Sequence, residues 1–358
     1  MHYRVEHRNE GYKMEQIEQK ESNPFPLDFE YLYGEPKSEG RFKVNCEDFN
    51  VVEDLGFELS GEGEHVCLWI QKIGENTQYL ARQLAKFADI PARNVSYAGL
   101  KDRQGDTKQW FSLHIPGKIT PDFSLFELEG VTILKTIRHH KKIKTGALEG
   151  NFFSIVLREI TDKPAVESAL EKVQKGVPNY FGEQRFGHNG HNVASALTMF
   201  EGRKIKDRFK RGMYLSAARS YLFNHVISQR IKVDQFFTPL DGDCVQFVGN
   251  RSFFPLLELS ALNLQRLAER EICLTAPLWG AGALTSELDA KEYEQETLAP
   301  FSGLQKGLEK NKLKQERRPL MLLPEKFSSE WLDDTSVRLD FYLPSGCYAT
   351  SVLRELIK

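Results

Sequence analysis

In the last part of the chain Val337, Leu339, Phe341 and Leu343 alternate with Arg338, Asp340 and Tyr342, the period of a strand with one face buried. Val66-Cys-Leu-Trp-Ile70 is an unbroken apolar run that reads as a buried strand, and Lys108–Ile115, Val131–Ile137 and Phe152–Leu157 read as further strands. Phe42 to Glu53 reads as extended chain with a turn at Glu47-Asp48. Asn76 or Thr77 caps a predicted helix with Leu80, Leu84 and Phe87 on one face. Thr161 or Asp162, with Pro164 just inside, starts another that runs to about Gly176.

The texture changes at Gly176. Helical spacing dominates Asn192–Phe200, Tyr214–Ile231, Leu259–Glu271 and Thr285–Leu298, interrupted by a β-rich stretch over Asp241–Leu257. A charged stretch covers Gly303–Arg318, strand alternation then returns, and a terminal helix is expected over Ala349–Ile357. This order predicts an α+β fold in which residues 24–175 and 324–358 form one discontinuous domain and 176–323 a largely helical insertion. Residues 1–23 are polar and without period, set off by Pro24 and Pro26, and read as a flexible tail.

No apolar run approaches the roughly 20 residues that cross a bilayer, and Met1 to Glu10 lacks the apolar core of a signal peptide. A cytoplasmic protein with no membrane partner is expected. Its five cysteines are widely spaced and form no Cys-x-x-Cys, which argues against a disulfide framework or a thiolate zinc site. Net charge is −2, yet three basic runs stand out: Arg138–Lys144, Arg203–Arg211 and Lys306–Arg318. Any one run is commonly a solvated face, but three on a near-neutral chain imply segregated charge, the footprint of phosphate contacts along an RNA.

The candidate chemistry centres on Asp102, in the glycine-turned loop Tyr97-Ala-Gly-Leu-Lys-Asp-Arg-Gln-Gly105 with Lys101 and Arg103 on either side. A carboxylate held among cations in a partly desolvated cleft serves as a nucleophile toward a sugar carbon. Asn151 and Phe153 share one face of their strand, offering an amide to a base edge and a ring to a base face. The run Val177-Pro-Asn-Tyr-Phe-Gly-Glu-Gln-Arg-Phe-Gly187 is dense in glycine, aromatic and amide residues. His188 and His191 lack acidic or thiol ligands at zinc spacing, so no metal is expected. Two other readings stand beside an acid acting on an RNA nucleoside. One is an RNA-binding protein without catalysis, and the other is a glycoside hydrolase pairing Asp102 with Asp106.

Six motifs, in order, resemble the TruD family of tRNA pseudouridine synthases over about Phe29 to Ile357. They are Glu47-Asp-Phe-Asn-Val-Val-Glu-Asp-Leu-Gly56, Ala98-Gly-Leu-Lys-Asp-Arg103, Gly150-Asn-Phe-Phe153, the Val177–Gly187 run, Leu215-Ser-Ala-Ala-Arg-Ser-Tyr-Leu-Phe-Asn224 and Ala349-Thr-Ser-Val-Leu-Arg-Glu-Leu356. The resemblance implies a pseudouridine-synthase mixed sheet interrupted by the insertion. It also implies isomerisation of uridine in tRNA, at position thirteen, without cofactor or metal. It marks Asp102 as the catalytic aspartate, acting by covalent attack or by promoting elimination, and Phe49, Asn151 and Phe153 as the uridine pocket. Tyr348 stands where the family often carries phenylalanine, which preserves a stacking face and adds a hydroxyl that needs a partner. Lys101 or Arg354 is the candidate cation near Asp102, and Lys43 a further candidate site residue.

Overall fold

The computed structural model describes residues 24–250 and 252–358; the tail expected over 1–23 lies outside them. The chain opens with β1 (Phe49–Asp54), β2 (His65–Ile73), α1 (Thr77–Phe87), β3 (Val95–Tyr97), β4 (Asp106–His114), β5 (Val131–His139), β6 (Gly150–Leu157) and α2 (Lys163–Val173). After β7 (Val177–Pro178) come α3 (His191–Phe200), α4 (Arg208–Lys232), β8 (Cys244–Phe247), β9 (Phe253–Pro255) and α5 (Ala261–Ala268). Then follow β10 (Ile272–Leu278), α6 (Leu288–Leu298), α7 (Ser302–Lys310) and β11 (Glu316–Pro319). β12 (Met321–Leu322), β13 (Glu325–Trp331), β14 (Val337–Pro344) and α8 (Ala349–Leu353) complete it.

Eight strands form one mixed sheet in the order β13-β14-β6-β1-β4-β2-β5, with β3 attached to β4. β1 and β4 run parallel and the other neighbours antiparallel. One face carries Phe49, Val51, Phe153, Ile155, Leu339 and Phe341, packed against Val166 and Leu170 of α2 and Val352 of α8. Farther across, Leu68, Ile70 and Phe111 cover Leu80 and Leu84 of α1. Asn76 caps α1 by accepting from the Gln78 and Tyr79 amides at 2.9 and 3.1 Å, a contact that contributes about 1 kcal/mol. Asp162 caps α2 at the Ala165 amide.

The helical half has its own core around Ala217, Tyr221, Leu222 and Phe223 of α4, beside a sheet ordered β11-β10-β8-β9. β7 pairs with β12, Val177 opposite Leu322, so the chain leaves and re-enters the large-sheet half at neighbouring strands.

Three local readings differ from the pattern. Residues 24–32 follow the helical half: Phe29 stacks on Tyr180 and Phe25 meets Tyr221 edge-on, each at 5.4 Å. Two phenylalanines among prolines carry no period that says which core receives them. The turn expected at Glu47-Asp48 is present as a 3-10 turn over Cys46–Asp48, where Asp48 accepts from the Asn45 amide and pairs with Arg158, but residues 42–45 before it form no strand. α4 begins six residues before Tyr214, where Asp207 caps the Phe209 and Lys210 amides.

Candidate active site

β4 pairs with β1 through residues 106–108 and, farther along the same edge, with β3 through residues 111–113. Gln109 and Trp110 therefore lie where no strand runs beside them on that edge, while β2 pairs with them on the other. The loop of residues 98–105 closes that gap, and side chains complete it. Glu53 Oε1 accepts from the Trp110 amide at 3.0 Å and Oε2 from Lys101 Nζ at 2.8 Å. Gln109 Nε2 donates to the Gly99 carbonyl at 3.2 Å, and its Oε1 accepts from Thr77 Oγ1 at 2.9 Å. Gly105 passes so close to β1 that a β-carbon there would stand 2.8 Å from the Phe49 carbonyl oxygen, which confines the site to glycine.

This loop presents Asp102. Its Oδ2 accepts from Lys43 Nζ at 3.0 Å, and among the described residues no other donor reaches the carboxylate. Lys43 Nζ also lies 4.1 Å from the Phe49 ring centroid, and Phe49 meets Phe153 edge-on at 6.2 Å. Lys43 holds φ at 60°, a left-handed conformation that side chains other than glycine rarely adopt.

The cation beside Asp102 is thus Lys43, and neither Lys101 nor Arg354. Lys101 turns down to Glu53, whose side chain is fully buried. Arg354 holds the N-terminal segment, donating to the Phe29 and Glu30 carbonyls and lying 4.1 Å over the Tyr31 ring. Asp106 is no partner for Asp102 either. It accepts from Gln71 and Asn50, on the sheet face opposite Thr107 and Gln109.

Asn151 sits opposite Glu53 in the β1–β6 register and on the same face as Phe153. Its Oδ1 is buried and, among the described residues, has no hydrogen-bond partner, an acceptor waiting for a donor. Phe153 is a core residue, 9% exposed and stacked on Phe341 at 5.4 Å, which differs from its expected place against a base face. The Phe49 face is covered by the Lys43 ammonium. Tyr348 is half-buried and its ring packs on Phe181 and under Arg185 rather than on Phe49 or Phe153. The hydroxyl finds its partner in Arg185, which donates to it and to Ser216. Arg318 donates to Asn179 and the Gly346 carbonyl and lies 4.3 Å over the Phe181 ring.

Sequence reasoning missed Glu53, Lys72, Arg185 and Arg318. Lys72 Nζ donates to the carbonyls of Asp102 and Glu75 at 2.7 and 2.8 Å from a fully buried position. The available signal was parity: Glu53 and Lys72 occupy positions whose strand neighbours Val51 and Ile70 are core residues.

The three basic runs divide. Arg138 is consumed in bracing loops, donating to the Gly63, Gly117 and Ile119 carbonyls, while Lys142 and Lys144 are exposed and line a cleft of about 380 Å³ with Tyr97 and Ser96. The second run is solvent-facing and includes Phe209, 67% exposed. In the third, Arg317 is buried in an ion pair with Glu294 at 2.7 Å, which removes it from any phosphate contact. Among the described residues no His, Cys, Asp and Glu cluster is placed to hold a metal ion, and no helix is long and apolar enough to cross a membrane.

Comparison with known proteins gives one answer. The family model for tRNA pseudouridine synthase D (TruD) matches residues 28–205 and 202–356. The chain is 48% identical over 330 residues to the tRNA pseudouridine synthase D of Proteus mirabilis (strain HI4320), covering 91% of this chain and 94% of that one. It is 47% identical over 330 residues to the namesake in Aeromonas salmonicida (strain A449), covering 92% and 93%. Its fold matches a crystal structure from Methanosarcina mazei described as a tRNA pseudouridine synthase D (TruD), with a TM-score of 0.70 at 22% identity over 91% of this chain and 95% of the other.

Proposed function

This chain belongs to the tRNA pseudouridine synthase D (TruD) family, and from that membership we propose that it isomerises uridine to pseudouridine in tRNA, at position thirteen, with Asp102 as nucleophile. The reaction breaks the N1–C1′ bond, rotates the uracil and joins C5 to C1′. C5 loses a proton and N1 gains one. Atoms and electrons balance within the nucleoside, so the reaction itself calls for no cofactor. We place the enzyme in the cytoplasm with its tRNA.

The target nucleotide leaves its stack at a cost of a few kcal/mol. Stacking on an aromatic ring returns roughly 1–3 kcal/mol, and we assign that role to Tyr348, whose hydroxyl is anchored by Arg185. The unpartnered Asn151 Oδ1 accepts the uracil N3–H. Phosphates on either side of the everted nucleotide meet exposed lysines such as Lys142 and Lys144.

The observation that carries this reading is the Asp102 carboxylate, held at Oδ2 by Lys43 and, among the described residues, without a donor at Oδ1. One oxygen is fixed while the other keeps its lone pairs for C1′. The test is tritium release from tRNA carrying uridine labelled at C5. Asp102→Asn is expected to abolish release while tRNA affinity stays within a few-fold of wild type. Turnover retained in that variant removes Asp102 from the mechanism, and free uracil as the product supports a hydrolase instead.

A further inference from the structure

We propose that Lys72 is a positioning residue for this reaction, its buried ammonium fixing the backbone of Asp102 from the sheet face beneath the loop. The inference rests on the role given to Asp102 above. Lys72 lies near the C-terminal end of β2, with Thr107 of β4 and Val131 of β5 as its strand neighbours. It is fully buried, on the parity of Ile70 and Leu68, where an aliphatic side chain would satisfy packing. It instead donates to two main-chain carbonyls, Asp102 at 2.7 Å and Glu75 at 2.8 Å. Glu75 immediately precedes Asn76, the cap of α1. One ammonium therefore ties the aspartate loop to the start of the helix beside it.

Charge distinguishes this contact from an ordinary brace. Hydrogen bonds from a charged donor are about twice as strong as neutral ones, and burying an ammonium is costly unless it is well partnered. The ionisable groups whose charge acts on it are Asp102 and Lys101 in the loop, Glu75 after β2 and Cys46 in the turn before β1. Among the described residues no carboxylate hydrogen-bonds Lys72 directly; its charge is directed at carbonyl oxygens. Lys43 fixes the carboxylate of Asp102 and Lys72 fixes its main chain, so both ends of the reacting residue are held by cations.

Burial lowers the Lys72 ammonium from the ordinary lysine value of 10.5 to about 8. The unfolded chain therefore keeps this proton through a window in which the native chain releases it. Raising pH from about 8 to 10.5 thus adds native stability at this group. The same loss of charge loosens the hold on Asp102. Catalytic rate and the Lys72 contribution to stability should move in opposite directions with pH, whereas a residue needed only for folding leaves the rate of the folded enzyme flat through that window.

The test uses the full chain with Lys72→Met and Lys72→Arg, measuring single-turnover tritium release, tRNA affinity and thermal melting. Lys72→Met is expected to slow the single turnover by about 10- to 100-fold, the range given by loss of one charge-assisted hydrogen bond, with tRNA affinity within about threefold by the same scale. Lys72→Arg is expected to restore part of the rate and to carry it to higher pH than wild type. A Lys72→Met rate within about threefold of wild type overturns the proposal, as does a loss in which both variants fail equally in rate, binding and melting. If Lys72→Met does not fold, the wild-type and Lys72→Arg pH profiles decide. The same alkaline limb in both overturns the proposal. A wild type that makes no pseudouridine overturns the parent reading, whereas an active wild type with an unimpaired Lys72→Met overturns this one alone.

Discussion

Lys43 offers a test in which activity and stability separate. Its ammonium is 3.0 Å from Asp102 Oδ2, while its backbone holds φ at 60°. A left-handed residue with a β-carbon costs about 1–2 kcal/mol, so backbone strain is retained at the position that supplies the ion pair. Replacement by alanine keeps the strain and removes the pair; replacement by glycine removes both. A hydrogen bond between charged groups contributes about 1.5–3 kcal/mol. The Asp102 side chain is 39% exposed, so solvent screening places the loss toward the lower end, about 1.5–2 kcal/mol, or about 10- to 30-fold in rate. Both variants should show that loss in single-turnover tritium release. Glycine relieves the strain but gains about 0.5–1 kcal/mol of unfolded-state freedom over alanine. Lys43→Gly should therefore be the more stable of the two by about 0.5–1 kcal/mol, roughly 1–3 °C in melting temperature. Rates within about threefold of wild type in both variants would refute the pairing of Lys43 with Asp102. Equal melting temperatures would refute the strain.

Asn151→Ala should weaken single-turnover uridine isomerisation by about 10- to 100-fold. It should not lower the melting temperature, because the acceptor it removes is unsatisfied in the free protein. Lys142→Glu with Lys144→Glu should weaken tRNA binding and reduce the slope of log affinity against log salt by about 2, one for each lost phosphate contact; an unchanged slope places the RNA elsewhere. Burial raises the Glu355 carboxyl from the ordinary 4.5 to about 7, against its bonds from Arg354 and the Tyr33 and Leu32 amides. The native chain then holds a proton that the unfolded chain has released, so stability at this group falls as pH rises from about 4.5 to 7. Glu355→Gln should flatten melting temperature across that window.

The strands and helices around the site were legible because their apolar residues keep a period. Val337 to Leu343 alternate as β14 does, and Leu80 and Leu84 mark the buried face of α1. Asp102 stood out through its loop composition, and Asn151 through its place beside Phe152 and Phe153. What escaped was partnership. Neighbours in sequence made Lys101 the obvious cation, yet an extended loop sends adjacent side chains to opposite sides, so Lys101 reaches Glu53 and leaves Asp102 to Lys43, fifty-nine positions away. Arg317 belonged by sequence to a basic run and by structure to a buried pair with Glu294. The number of cations in a run does not say which of them meet a carboxylate when the chain closes on itself.

The positions that broke the strand pattern form one charge arrangement around the loop of the proposed nucleophile. In the proposed reaction Asp102 alone would repel the phosphates it approaches. Glu53, needed to satisfy the Trp110 amide where the β1/β3 edge of β4 lacks a strand, adds a second negative charge nearby. Against these two carboxylates stand three ammonium groups: Lys101 on Glu53, Lys43 on Asp102 and Lys72 on the Asp102 carbonyl. Glu75, whose charge also acts on Lys72, brings the carboxylates to three, so the named charges balance. The gap in the ladder, the buried glutamate that fills it and the lysines that answer it belong to one arrangement. It holds the Asp102 carboxylate on Lys43 and its main chain on Lys72.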